Sequence, residues 1–221
     1  IGQYWLSYIN ALIKLDRLDD AKAVLDQAKS KGVTGDGFEQ LENQLGLSTS
    51  KNSNVQKPSQ KELDSLISLY NQKKLHQVFE ETQKLTKKYT KSVILWNLMG
   101  ASAAQIGQLD HAIEACKKAL TIKPDDATTY SHMGGILRKK GKLNEAIKAF
   151  EKALSIKPDF AEAYYNMGNA LHDQNKPDEA IVAFEKALSI KPDFAEAYYN
   201  MGNALQKQGK PAQAIETYNK A

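Results

Sequence analysis

The sequence predicts an all-α fold, a stack of antiparallel helix pairs, and three observations carry that prediction. First, the chain repeats itself. Residues 161–187 read AEAYYNMGNALHDQNKPDEAIVAFEKA, residues 195–221 read AEAYYNMGNALQKQGKPAQAIETYNKA, and 18 of the 27 aligned positions are identical at an offset of 34. Self-similarity at a fixed period of this length marks a solenoid, because each unit buries its apolar face on the next. Second, the frame runs backward through units 93–126, 127–160, 161–194 and 195–221, the last one truncated. Position 4 holds Trp96, Tyr130, Tyr164 and Tyr198; position 8 holds Gly100, Gly134, Gly168 and Gly202; position 24 holds Cys116, Phe150, Phe184 and Tyr218. Third, position 15 holds Gly107, Gly141, Asn175 and Gly209, residue types that accept the left-handed conformation ending a helix.

Within a unit, positions 4, 7, 8 and 11 share one face of a first helix, A, and positions 20, 24 and 27 share one face of a second, B. Position 7 is Met99, Met133, Met167 and Met201; position 20 is Ala112, Ala146, Ala180 and Ala214. A mid-helix Gly costs about 1 kcal/mol relative to Ala, so the column at position 8 marks a place where a neighbour needs the space. Pro177 and Pro211 suit the first turn of helix B, and Pro192 stops it. Asp159 with Glu162, and Asp193 with Glu196, have the spacing of a capping box for the next helix A.

Taken in order, residues 1–45 read as a diverged unit plus a short capping helix. Trp5, Leu12, Ala21, Leu25 and Ala28 keep the frame, Asp16-Arg17 replaces the glycine turn, Gly32, Gly35 and Gly37 break the chain, and Phe38, Leu41 and Leu45 have helical spacing. Residues 46–58, GLSTSKNSNVQKP, have linker composition and interrupt the frame. Residues 59–92 form a degenerate unit, with Leu66 at position 8 and Thr90 at position 32, that fits an atypical end of an array. The regular array follows. At the far end Ile215 and Tyr218 lack a following unit, so end-to-end self-association through this uncapped C-terminal repeat is expected. The chain starts at Ile1 without an initiator Met and stops seven residues short of a full unit, and it reads as an excerpt of a longer protein.

The Trp/Tyr, Met-Gly, Ala, Phe/Tyr and Ala-Pro columns resemble the tetratricopeptide repeat (TPR) family closely. That resemblance implies a right-handed superhelix whose A helices line a concave groove for a peptide or partner helix. It places Asn97, Tyr165 and Tyr199 at position 5, Asn166 and Asn200 at position 6, and Asn169 and Asn203 at position 9, all facing that groove. A column of Asn one repeat apart can donate to and accept from an extended backbone without reading its sequence. The Asn166–Asn200 pair resembles the asparagine ladder of O-GlcNAc transferase arms; equally, its identity can record a recent duplication alone. A TPR clamp for a C-terminal carboxylate is rejected. The matching positions are Ser131, Gly135, Asn166, Glu196 and Asn200, the lysines are missing, and Glu196 has the wrong sign.

Composition narrows the function further. A net charge of +4 is too small to argue for nucleic acid, and no apolar run approaches the ~18 residues that span a bilayer. No signal peptide is visible, and the single cysteine, Cys116, permits no disulfide within the chain, which suits a reducing, cytoplasmic setting. His76, His111, His132 and His172 lack ligand spacing, so neither metal nor other cofactor is expected. With no phosphate loop, nucleophile elbow or paired carboxylates, the chain itself is read as non-catalytic. The expected function is an interaction scaffold for a protein or peptide. The alternative is a recognition or targeting arm of a larger bacterial glycosyltransferase, sulfotransferase or methyltransferase, a reading implied by the resemblance of the IKPDFAEAYYNMGNAL unit to such arms.

Overall fold

A computed structural model describes residues 2–15, 17–33, 36–45 and 57–221, and every regular element among them is a helix. The chain divides into two compact units, Ile1–Asn54 and Val55–Ala221. Asp16, Gly35 and most of the expected linker, residues 46–56, lie outside the described residues.

In the first unit α1 (Gly2–Lys14) and α2 (Leu18–Ser30) pair, and α3 (Asp36–Gln44) lies on them. One core joins Ile9 and Leu12 to Ala21, Leu25 and Ala28 and to Phe38, Leu41 and Leu45. This is the 3.6-residue period of three helices turned to a common centre.

The second unit begins with α4 (Gln60–Asn71) and α5 (Leu75–Lys88). Three full hairpins follow: α6 (Val93–Gln105) with α7 (Leu109–Ile122), α8 (Ala127–Lys139) with α9 (Leu143–Ile156), and α10 (Ala161–Asp173) with α11 (Pro177–Ile190). The last pair is α12 (Ala195–Lys207) and α13 (Pro211–Tyr218). From α6 onward, helices of one kind start 34 residues apart. The turn between A and B is left-handed at Gly107, Gly141 and Gly209, and also at Asn175 and Lys73, which lie at φ +61° and +60°. Lys73 occupies the glycine place of the first hairpin without being a glycine.

The close approach of A to B has a visible cause. A Cβ built on Gly134 would stand 2.7 Å from the Phe150 ring, and one on Gly168 would stand 2.6 Å from the Phe184 ring. Both rings are fully buried, so each fills the space its glycine leaves. At Gly100 the opposing residue is Cys116, and the same Cβ would make ordinary contact at 3.4 Å. Ala112, Ala146 and Ala180 complete the contact from the B side, with no exposed surface.

The caps correct one expectation. Asp159 and Asp193 do not cap the A helices: Phe160 and Phe194 stand at the N-cap of α10 and α12, and neither helix has a side-chain cap. Phe194 is instead buried, 4.8 Å from the Tyr165 ring. Where the same place is Asp126, the carboxylate does cap, accepting the Thr129 backbone N–H at 3.3 Å. The reciprocal capping box lies elsewhere, between Ser59 and Glu62 at the start of α4. Backbone and side-chain hydrogen bonds from Ser59 hold the Glu62 carboxyl below the usual range. No helix among the described residues is long and apolar enough to cross a membrane.

Candidate functional site

The A helices α6, α8, α10 and α12 stack side by side, so residues at one position of successive units form columns across that face. Those columns are tied together differently along the array. In the later half, Asn200 of α12 uses both amide protons on the preceding A helix: its Nδ2 donates to the Tyr165 hydroxyl at 3.0 Å and to Asn169 Oδ1 at 2.8 Å. Tyr165 is half-buried between Phe184 and Phe194, and Asn169 is buried. Tyr218 of α13 donates to Asn203 Oδ1 at 2.8 Å and packs its ring on Tyr199, which stays 56% exposed. Ile215 of the same helix is 60% exposed.

Asn166 of α10 is the equivalent of Asn200, one unit earlier. The residues equivalent to Tyr165 and Asn169 are then Ser131 and Gly135, too small to reach it. Asn166 makes no hydrogen bond to another described residue. A cavity of about 330 Å³ opens there, lined by Asn97, Ser131, His132, Gly135, Arg138 and Asn166, with Ala101 and Ile136 among its apolar groups. All of its lining comes from A helices α4, α6, α8 and α10 except Cys116, whose small side chain stands where the later hairpins place Phe150, Phe184 and Tyr218. Asn97 is partly engaged, its Oδ1 lying 2.9 Å from the Thr129 hydroxyl.

The structure therefore brings Asn97 and Asn166 to one cavity, joins Tyr165, Asn169 and Asn200 in one closed cluster, and sets Tyr199 and Asn203 beside Tyr218. Other polar residues of the lining include Ser131, His132 and Arg138, which stand at the groove-facing positions 5, 6 and 12 of their unit but lie outside the expected site residues. Their signal in the sequence is the drop in side-chain size at two columns, Ser131 at position 5 and Gly135 at position 9.

The electrostatics of the cavity are one-sided. Arg138 and Lys139 contribute cations to its lining and no Asp or Glu does. Asp173 holds Arg138 from the next helix, N to O at 3.0 Å. His132 reaches solvent, yet the walls around it strip water away. Desolvation holds its imidazole below the ordinary value, against the opposing field of Asp126. The ring is therefore neutral at pH 7, with one nitrogen to donate and one to accept. Burial pushes the Asp126 carboxyl up, but hydrogen bonds from Thr129 and Lys123 outweigh it and the net direction is down. Burial also pushes the Cys116 thiol up to about 12, so it carries no thiolate at neutral pH and is no nucleophile. The constellation gathers N–H and O–H donors around one imidazole.

A second hollow, about 700 Å³, lies between α4 and α5. Two of its carboxylates are already engaged, Glu62 in the capping box and Glu81 by Lys84 at 2.8 Å. Among the described residues no group of three His, Cys, Asp or Glu could hold a metal ion.

A row of ties along the edge of the array fixes how the hairpins stack. The turn residue at position 14 of one unit meets position 18 of the unit before: Lys140 with Asp110, Gln174 with Asn144 at 2.6 Å, and Gln208 with Asp178. Exposed pairs of this kind add little stability, ~0–1 kcal/mol each. Their repetition sets register.

Comparison with known proteins agrees with this architecture. Residues 93–126 match the tetratricopeptide repeat family model, residues 134–175 and 168–209 match a TPR repeat model, and residues 4–33 match a PPR repeat model. Among solved structures, a crystal structure of MamA is similar at 27% identity and a TM-score of 0.64, over 69% of this chain and 90% of that one. A second MamA crystal structure is similar at 26% identity and a TM-score of 0.64, over 72% and 87%. MamA from Desulfovibrio magneticus RS-1, residues 41 to the end, shares the fold at 17% identity and a TM-score of 0.67, over 75% and 94%. No curated protein matches the chain.

Proposed function

The chain belongs to the tetratricopeptide repeat family through its array from residue 93, and on that premise we propose that it is a non-catalytic scaffold holding a peptide along the A-helix face. The observation that supports this is the cavity described above, whose lining comes almost wholly from A helices and crosses four of them. An extended peptide crossing successive A helices meets Tyr199, Asn203, Asn166 and Asn97 in turn. Each keeps hydrogen-bonding capacity or aromatic surface toward solvent. Tyr165, Asn169 and Asn200 take part as the rigid floor, their polar groups already paired with one another. A rigid, preorganised groove keeps the entropy loss on binding small. The single Cys116 permits no disulfide within the chain, which fits a reducing compartment, so a cytoplasmic setting belongs to the same proposal. Attachment to a larger enzyme would change what is delivered, not how the groove holds it.

The test is a random heptapeptide display library panned on the 221-residue chain, with the enriched peptides resynthesised with a fluorescein label. Binding is then read by anisotropy. The variant Asn166→Ala/Tyr199→Ala should weaken binding at least about tenfold, the scale of losing one or two interfacial contacts. The variant Lys152→Ala/Lys186→Ala, exposed on the B helices, should bind as wild type. The opposite pattern would put the ligand on the B-helix side and end the proposal.

A further inference from the structure

We infer that the cavity at Ser131, Gly135 and Asn166 is a specificity pocket for one acidic side chain, Asp or Glu, of the bound peptide. The inference rests on the groove reading above and adds which residue type the groove selects.

It follows from comparing two equivalent places in one array. Where Asn200 meets Tyr165 and Asn169, the amide is consumed and the space is filled. Where Asn166 meets Ser131 and Gly135, neither happens: the amide has no partner among the described residues and about 330 Å³ stays open. A Cβ built on Gly135 would meet nothing within 4 Å, so the vacancy lies directly over that residue. The donors around it are the Asn166 amide, the Ser131 hydroxyl, the neutral His132 ring and the guanidinium of Arg138, with the Lys139 ammonium at the exposed end. Two cations and no carboxylate line the cavity, so a carboxylate finds opposite charge and several N–H and O–H donors together. Asp173 occupies one side of Arg138 and leaves its other N–H groups to the ligand. A lysine or arginine side chain would meet like charge at the same place, which excludes it as firmly as the carboxylate is favoured. The cations come from the C-terminal end of α8 and not from the columns that a C-terminal carboxylate clamp would use, so an internal acidic residue is the fitting occupant.

The panning experiment tests this once the enriched sequences are read. A shared Asp or Glu is expected, and changing it to Gln in the labelled peptide should weaken binding about tenfold, as for loss of hydrogen bonds to a charged group. The variant Ser131→Tyr/Gly135→Asn gives Asn166 the partners that Asn200 has. It should bind the original peptide no better than wild type binds the Gln peptide, with a melting temperature equal to or above wild type. Should that variant fail to fold, Lys139→Glu, at an exposed position, carries the test and should abolish the acidic preference. Enriched peptides without a shared acidic residue, or an acidic preference undiminished in the variants, overturn the pocket and leave the groove standing. No enrichment over the bare support overturns both.

Discussion

Helices α10 and α12 begin with the same eleven residues, AEAYYNMGNAL, and yet the asparagine they share is used in two ways. Asn200 closes a cluster with Tyr165 and Asn169; Asn166 opens onto a cavity. Nothing in either helix makes the difference. It lies in the helix before, where Tyr and Asn in one case are Ser and Gly in the other. The later interface is filled by Tyr165 and Asn169 at positions 5 and 9, and the earlier one is left open by Ser131 and Gly135. In a solenoid the role of a side chain is set across the interface as much as by its own position.

The largest effect expected from breaking this contrast comes from the filled half. Gly168→Leu has no space against the buried Phe184 ring and should cost about 3 kcal/mol or more, measured by denaturant melting. A neutral result would show that Phe184 can move aside and that the half is not filled. Next, Asn200→Ala removes two hydrogen bonds and leaves Oδ1 of the buried Asn169 without its donor, at a cost of about 1–3 kcal/mol. Asn166→Ala should stay within about 0.5 kcal/mol of wild type, as for an unengaged surface residue. Equal losses for the two would erase the contrast altogether. In the open half, Gly100→Ala should be neutral or stabilise by up to about 1 kcal/mol, because a methyl beside Cys116 meets only ordinary contact and the helix gains a better former. Destabilisation there would mean that the small Cys116 leaves no room after all.

The smallest expected effect is one of pH, and it belongs to the open half. Desolvation depresses the folded-state value of His132 below its ordinary 6.5. A depressed value means the folded state resists protonation more than the unfolded chain does. The associated stability is therefore present above pH 6.5 and lost as pH falls through the folded value. The melting temperature should drop between pH 7 and pH 5, and His132→Asn should flatten that drop. An identical slope in the variant would assign the dependence to other groups.

The fold was legible because its signal is redundant. Four units carry glycine or alanine where helices touch, and a glycine or asparagine where they turn, so an error at one position is outvoted by the rest. Lys73 shows the limit: it adopts the left-handed turn through its place in the frame, with no help from residue type. The caps were misread at Asp159 and Asp193 because spacing alone does not reveal that Phe160 and Phe194 begin the helices, with Phe194 buried against Tyr165. The asparagine columns were legible as residues. Their consequences were not, because column-by-column reading compares a residue with its copies and not with its partners one helix away. Reading Asn200 against position 5 and position 9 of the preceding unit would have separated it from Asn166.

The edge ties at Lys140, Gln174 and Gln208 each reach only the adjacent hairpin. Tension applied along the array therefore meets couplings in series, none of which braces a distant one. Pulled from its ends, the array should lengthen as a train uncouples, in steps of about one hairpin, and a ligand lying across several hairpins would make those steps harder to take singly.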